Sequence, residues 1–286
     1  MEIAFSMIHR VIGNSCCNYC AQTDITVGSS LTAVNGNSSW LSPSGDFAFG
    51  FRSLYNGNNA KDERLFLLSI WYNKIPSKTV VWFANGDRPA PENSKLALTS
   101  NLGLVLTNSQ GEELWKLENI LGDVSHAIFN DTEEIFSRGK FQLGMLGSGD
   151  LVLNTINLPS SYANDAYSIT KTAGDSNGSA SSGKELVFSN SGSLFVSKEN
   201  GGEVNLSQEK VPLAADFYLR VTLDFDGVLT QYYHPRNSST DGSWSILWTQ
   251  PENICSAVVS QGGNGREWGI SIYETSTKAQ KHMRAR

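Results

Sequence analysis

The feature that constrains this chain most is a short unit that returns along it. A polar turn carrying glycine comes first, then small and apolar residues in alternation, then a polar exit. It reads SPSGDFAFGF from Ser42, TSNLGLVLTN from Thr99, LGSGDLVLNT from Leu146, SNSGSLFVSK from Ser189 and, more faintly, DFDGVLTQYY from Asp224. Alternation with period two puts one set of side chains on each face of a strand, so each unit predicts a half-buried strand entered through a tight turn. One such strand cannot cover its own apolar face. A series of them implies sheets that pack on one another with internal pseudo-symmetry. LFLLSIWY (Leu65 to Tyr72) and VVWFA (Val80 to Ala84) add two nearly continuous apolar runs. Outside the first residues, no stretch sustains an i, i+3, i+4, i+7 apolar pattern past two turns. The expectation is an all-β chain of many short antiparallel strands. Trp40, Trp71, Trp82 and Trp115 are expected to share a core where several sheets meet, because each ring buries a large area.

Composition narrows the function classes. The 286 residues carry 22 Lys+Arg against 28 Asp+Glu, a net charge of −6, with 17% charged and 40% hydrophobic. That is too little charge for a wholly disordered chain. An acidic chain offers no electrostatic footprint for nucleic acid, so no nucleic-acid partner is expected. No run approaches the roughly 18 apolar residues of a membrane span. No GxSxG elbow, no paired-carboxylate motif and no histidine cluster appears: His9, His126, His234 and His282 are scattered and read as loop, leader or tail residues. No catalytic residue, metal or cofactor is expected. Cys17 and Cys20 form a CxxC, but a zinc site needs a second pair, and Cys255 stands alone. Cys16, Cys17 and Cys20 therefore read as part of a leader, residues 1–22, that makes a poor signal peptide. Five Asn-x-Ser/Thr triplets, at Asn37, Asn130, Asn177, Asn205 and Asn237, point to glycosylation and an extracellular, secreted location. The Ser/Gly/Asn-rich stretch 164–183 reads as a mobile loop, and 256–286 as an irregular tail.

Three blocks carry a family resemblance. They are ITVGSSLTA with WLSPSGDFAFGF (Ile25 to Phe51), SIWYNKIPSKTVVWFANGDRPAP (Ser69 to Pro91) and LALTSNLGLVLTNSQGEELW (Leu96 to Trp115). Together they resemble the bulb-type (monocot mannose-binding) lectin domain of plant G-type lectin S-receptor-like serine/threonine kinases. GKFQLGMLGSGDLVLNTINLP and the stretch from Asp216 to Cys255 look like the second lectin-like half of the same ectodomains. The resemblance implies tandem bulb-type lectin β-prisms, each of three four-stranded antiparallel sheets, over residues 23–137 and 138–255, with the first domain shortened. It implies a secreted, lectin-like module of a receptor-like kinase ectodomain. The expected partner is a mannose-type glycan or a protein ligand, with association to related receptor ectodomains.

The chain also departs from that family. The mannose-binding strand there reads Q-x-D-x-N-x-V-x-Y, and alternation puts all five side chains on one face. The matching positions here are Thr99, Asn101, Gly103, Val105 and Thr107, then Leu146, Ser148, Asp150, Val152 and Asn154, then Ser189, Ser191, Ser193, Phe195 and Ser197. Only Val105 and Val152 keep the family residue, and both read as core. Three or four missing polar groups forfeit hydrogen bonds worth about 0.5–1.5 kcal/mol each, so mannose binding is expected to be weak or absent. A W-E-S-F-x-x-P-T-D-T stretch that closes the family's first domain is absent near 132–138, about 40 residues or two to three strands. The ending differs too: no Gly-rich nucleotide loop and no HRD or DFG set appears, so no kinase activity is expected, and Cys255 is expected to be a free thiol. The alternative reading is a truncated, non-functional receptor fragment, or a protein–protein interaction module that binds no sugar.

Overall fold

A computed structural model describes residues 25–34, 36, 38–54, 64–100, 103–117, 140–157, 160, 162–174, 181–207, 214–237 and 243–252. Apart from one 3-10 turn at Ala214–Asp216, every regular element among them is a strand, and every pairing is antiparallel. The leader, Asn37, Asn101, Asn130, Asn177, the stretch 132–138, the four cysteines, His9, His126, His282 and the tail lie outside the described residues. The chain packs as two units, the first drawn mainly from residues 1–124 and the second mainly from residues 139–235 and 243–286.

The first unit holds β1 (Ser30–Thr32), β2 (Ser39–Leu41), β3 (Phe47–Ser53), β4 (Leu65–Tyr72), β5 (Val80–Phe83), β6 (Ala90–Pro91), β7 (Lys95–Thr99), β8 (Gly103–Thr107) and β9 (Glu113–Lys116). They form a four-stranded sheet, β1-β7-β8-β9, and a five-stranded one, β2-β3-β4-β5 with β6 also on β4. Alternation decides what goes inside. Phe49 and Phe51 of β3, Phe66, Leu68 and Ile70 of β4, Leu96 of β7, and Leu104 and Leu106 of β8 make one core between the two sheets. Trp40, Trp82 and Trp115 pack against it, and Trp82 meets Trp115 edge to face at 5.9 Å. Trp71 is buried but not part of this cluster, so the shared tryptophan core has three members and not four.

A single amide completes the ladder along β4. Strand β5 pairs with its second half, from Ser69, and β6 with its first, to Phe66, leaving a gap between them at Leu67 and Leu68. The Asn85 side chain fills that gap. Its Oδ1 accepts from the Leu68 N–H at 2.7 Å, and its Nδ2 donates to the Phe66 carbonyl at 3.2 Å and the Arg88 carbonyl at 3.3 Å. Buried backbone groups need partners, and here a side chain replaces a strand.

The second unit holds β10 (Phe141–Met145), β11 (Leu151–Asn157), β12 (Tyr162–Ile169), β13 (Gly183–Phe188), β14 (Leu194–Lys198), β15 (Glu203–Asn205), β16 (Phe217–Leu223), β17 (Leu229–Pro235) and β18 (Ser245–Gln250). They form three sheets of three consecutive strands each, where the expectation was four. Each sheet sends side chains to one core. Phe141, Leu153 and Tyr167 come from the first, Leu194, Leu186 and Phe188 from the second, and Leu223, Leu229 and Trp248 from the third. Buried polar bonds fasten the sheets: Tyr167 Oη donates to the Gly227 carbonyl at 2.6 Å, and Gln231 Nε2 to the Gly192 carbonyl at 2.7 Å. The arrangement is consistent with a β-prism.

Three of the recurring sequence units, from Leu146, Ser189 and Asp224, open on one specific hairpin turn, which Asn108–Glu112 and Lys198–Gly202 share. In Asn108–Glu112, Leu146–Asp150, Ser189–Ser193, Lys198–Gly202 and Asp224–Val228, the first N–H bonds the fifth carbonyl and the fourth N–H bonds the first carbonyl. The fourth residue is glycine each time, with φ between 80° and 91°. This is a type I turn closed by a left-handed glycine, one of the common three-residue hairpin connections. The reading of 164–183 as a loop is corrected in part. Residues 164–169 lie in β12, because Tyr167 anchors in the core, and Thr172 is fully buried with its hydroxyl on the Gly149 carbonyl at 2.6 Å. Residues 175–180 lie outside the described residues.

Candidate functional site

The three expected sugar strands use their polar groups internally. On the first, Thr99 Oγ1 donates to the Gly103 carbonyl at 3.0 Å and Thr107 Oγ1 to the Lys95 carbonyl at 3.4 Å. Val105 is buried, but it faces away from Leu104 and Leu106, so it is not a member of the core. Gly103 has φ of 66°, and a Cβ there would meet nothing within 4 Å. Backbone conformation, not crowding, keeps a side chain off this position.

On the second strand, the Asp150 carboxylate accepts from the Ala173 N–H at 2.9 Å and from the Ser148 hydroxyl at 3.3 Å. The Ser148 carbonyl accepts from the Ser182 hydroxyl at 2.8 Å. Asn154 Nδ2 donates to the Asn164 carbonyl at 2.8 Å, and Val152 is buried outside the core cluster. These groups clamp the chain after β12 onto the β10–β11 turn. Crowding is severe at that clamp: a Cβ on Gly149 would lie 2.1 Å from Ser182 Oγ and 2.4 Å from the Gly183 nitrogen. On the third strand, Ser189, Ser191 and Ser193 bond one another around their turn, and Ser197 donates to Glu185 at 3.2 Å. Of the expected glycosylation sites, Asn205 and Asn237 are exposed.

A different site stands out in the first unit. An open groove of about 510 Å³ lies on the back of the five-stranded sheet, lined by Ser39, Leu41, Arg52, Trp71, Asn73 and Lys78. In β3–β4 register, Arg52 opposes Leu67 and Trp71 opposes Ala48, with Gly50 opposite Ser69 between them. The small central pair leaves room for the Arg52 guanidinium over the Trp71 ring, 5.7 Å from its centroid. Arg52 Nη1 donates to the Lys78 carbonyl. Lys78, held at φ of 51°, places its ammonium on the Asn73 carbonyl and on Asn73 Oδ1. Burial pushes the Arg52 guanidinium below its ordinary value, since a charged group loses hydration there.

Comparison with known proteins places the chain. No protein-family model matches it. It is 32% identical to the G-type lectin S-receptor-like serine/threonine-protein kinase LECRK2 of Oryza sativa subsp. indica, over 86% of this chain and 35% of that protein. LECRK1 of the same subspecies is 31% identical over 92% of this chain and 37% of its own length. RLK1 of Arabidopsis thaliana is 29% identical over 81% and 33%. The chain is a homologue of the G-type lectin S-receptor-like kinases. It spans about a third of the length of these curated relatives.

The G-type lectin homologue carries a second cluster that its sequence did not reveal. In the second unit, the Arg220 guanidinium lies between two rings, 4.5 Å from the Tyr232 centroid and 4.7 Å from that of Trp244. His234, expected in a loop, is a buried β17 residue: its ring sits 5.3 Å from Trp244, and its Nδ1 is 2.8 Å from the Pro235 carbonyl. Tyr232 Oη donates to Asp224 at 2.6 Å. Burial raises the Asp224 carboxyl above its ordinary 3.8, with the Tyr232 hydrogen bond opposing. This packing ties β16, β17 and the segment before β18 into one sheet. Among the described residues, no helix is long and apolar enough to cross a membrane, and no group of three or more His, Cys, Asp or Glu could hold a metal. The groove residues had no signal of their own: Arg52, Asn73 and Lys78 are single polar residues next to apolar runs; β3–β4 register brings Arg52 to Trp71, and the connection from β4 to β5 carries Asn73 and Lys78.

Proposed function

We propose that this chain is the lectin-like, extracellular ligand-recognition part of a receptor of the G-type lectin kinase kind, without kinase activity of its own. We propose further that it does not hold mannose at its β8, β11 and β14 strands. One observation carries the second point: Thr99, Thr107, Ser148, Asp150 and Asn154 each spend polar groups on hydrogen bonds within the chain. A sugar hydroxyl would have to displace those bonds and replace them in kind, which leaves little net gain. Exposed sequons at Asn205 and Asn237 support the extracellular reading.

The test is a glycan array with the chain secreted from a eukaryotic host, run beside a mannose resin. The expected result is no retention on mannose, alongside a signal for another saccharide. Retention on mannose that disappears in Asp150→Ala or Asn154→Ala would overturn the strand argument. Absence of signal for any saccharide would favour a protein ligand.

A further inference from the structure

We propose that the groove on the back of the five-stranded sheet binds a carboxylate-bearing saccharide, a hexuronate residue of an acidic glycan. The proposal deepens the recognition reading above, on which it rests, and moves the site away from the three strands where mannose was expected.

The lining has the right chemistry. It carries two cations, Arg52 and Lys78, and no carboxylate among its described residues. Asp46, whose backbone carbonyl accepts from the Asn73 N–H, is itself paired with Lys74 at 2.8 Å. Arg52 has five N–H donors, of which one reaches the Lys78 carbonyl, and no other acceptor for it occurs among the described residues. A half-buried guanidinium with open donors has lost water without gaining a carboxylate, and a ligand carboxylate would restore that loss through a bidentate pair. Its lowered pKa reflects the same desolvation.

The rest of the lining fits a sugar ring better than a peptide. Leu41, 45% exposed, and the edge of Trp71 offer apolar surface for ring C–H groups. Ser39 supplies a hydroxyl for a ring hydroxyl, while the Asn73 amide, bonded to the Gly45 carbonyl and to the Lys78 ammonium, holds Lys78 in place. A volume of about 510 Å³ falls in the range of a small-ligand site and suits one or two sugar residues.

The test is calorimetric titration of the full chain with trigalacturonic acid, with its neutral methyl ester and with a pentaglutamate peptide. Arg52→Gln removes the cation above Trp71. Lys78→Asn removes the second cation and keeps a residue that tolerates positive φ, so it also serves if Arg52→Gln fails to fold. The expected result is binding of trigalacturonate that weakens as salt rises, with the ester at least about tenfold weaker and each variant about tenfold weaker. Equal binding of acid and ester, unchanged binding by Lys78→Asn, tighter binding of the peptide, or no binding of trigalacturonate overturns the proposal. If neutral glycans on the array bind wild type and both variants alike, the recognition reading stands and the groove assignment falls.

Discussion

Replacing Asn85 by alanine tests whether one side chain can stand in for a strand. The amide makes three bonds to backbone, to the Leu68 N–H and to the Phe66 and Arg88 carbonyls, and the residue is 4% exposed. Alanine leaves the Leu68 donor inside the protein with nothing to bond, while Phe66 keeps its ladder pairing with Ala90. An orphaned buried group costs about 1–3 kcal/mol, so the expected loss is about 1–3 kcal/mol. That is a sizeable part of a typical domain stability of about 5–15 kcal/mol. Urea unfolding reads the loss, and hydrogen exchange locates it: the Leu68 amide should lose protection first. A companion, Asn85→Asp, keeps an acceptor for Leu68 but turns a carboxylate oxygen toward the Phe66 carbonyl. It should be less stable at neutral pH than at acid pH, where the protonated acid can donate. A loss below about 1 kcal/mol for Asn85→Ala, with Leu68 protection unchanged, would refute the reasoning, because the gap beside β4 would then be closed by something else.

Other expectations follow from the turns and the buried acid. Gly149→Ala puts a Cβ 2.1 Å from Ser182 Oγ and 2.4 Å from the Gly183 nitrogen at φ of 91°; strain of that kind should cost more than about 2 kcal/mol, read as a lowered melting temperature. Gly103→Asn shares the left-handed backbone but meets nothing within 4 Å, so it should cost about 1 kcal/mol or less in the same assay. Asp224 is held above its ordinary 3.8 by burial. Its contribution to stability is therefore present below 3.8 and is lost as pH rises through the folded value. Asp224→Asn removes that titration, so the variant should gain relative to wild type in urea midpoints as pH rises from 3.8 through the folded value, and a difference constant with pH would count against it.

Part of this fold could be read directly from residues. The period-two alternation in GDFAFGF and GLVLT identifies β3 and β8 and their inward side chains, because burial of one sheet face writes itself into every second position. The turn units were legible because left-handed backbone selects glycine at a fixed offset. β12 was not legible. YANDAYSI has few large apolar residues, and it is a strand because Tyr167 finds a core built by residues far along the chain, with its hydroxyl on Gly227. His234 was misread for a related reason: its burial comes from Trp244 across a gap in sequence. At the expected sugar strands, the loss of the family's polar set was visible in the letters. The internal use of Asp150 and Asn154 was not, since their partners at Ala173 and Asn164 carry no motif. The Arg52–Trp71 groove depends on β3–β4 register, which no local pattern specifies.

The five glycine-closed turns also bear on how such a chain finds its structure. Each is closed by bonds that span only three or four residues, so each hairpin can form on its own, on the order of 1–10 μs. In the second unit every sheet is three strands consecutive in the chain, which keeps the pairing contacts local and the entropy of loop closure small. The slow step is then the meeting of three preformed meanders around Phe141, Leu194 and Leu229, the point at which distant parts of the chain first have to agree. Substitutions in that core should slow folding, whereas changes on the outer strand faces should act mainly on unfolding.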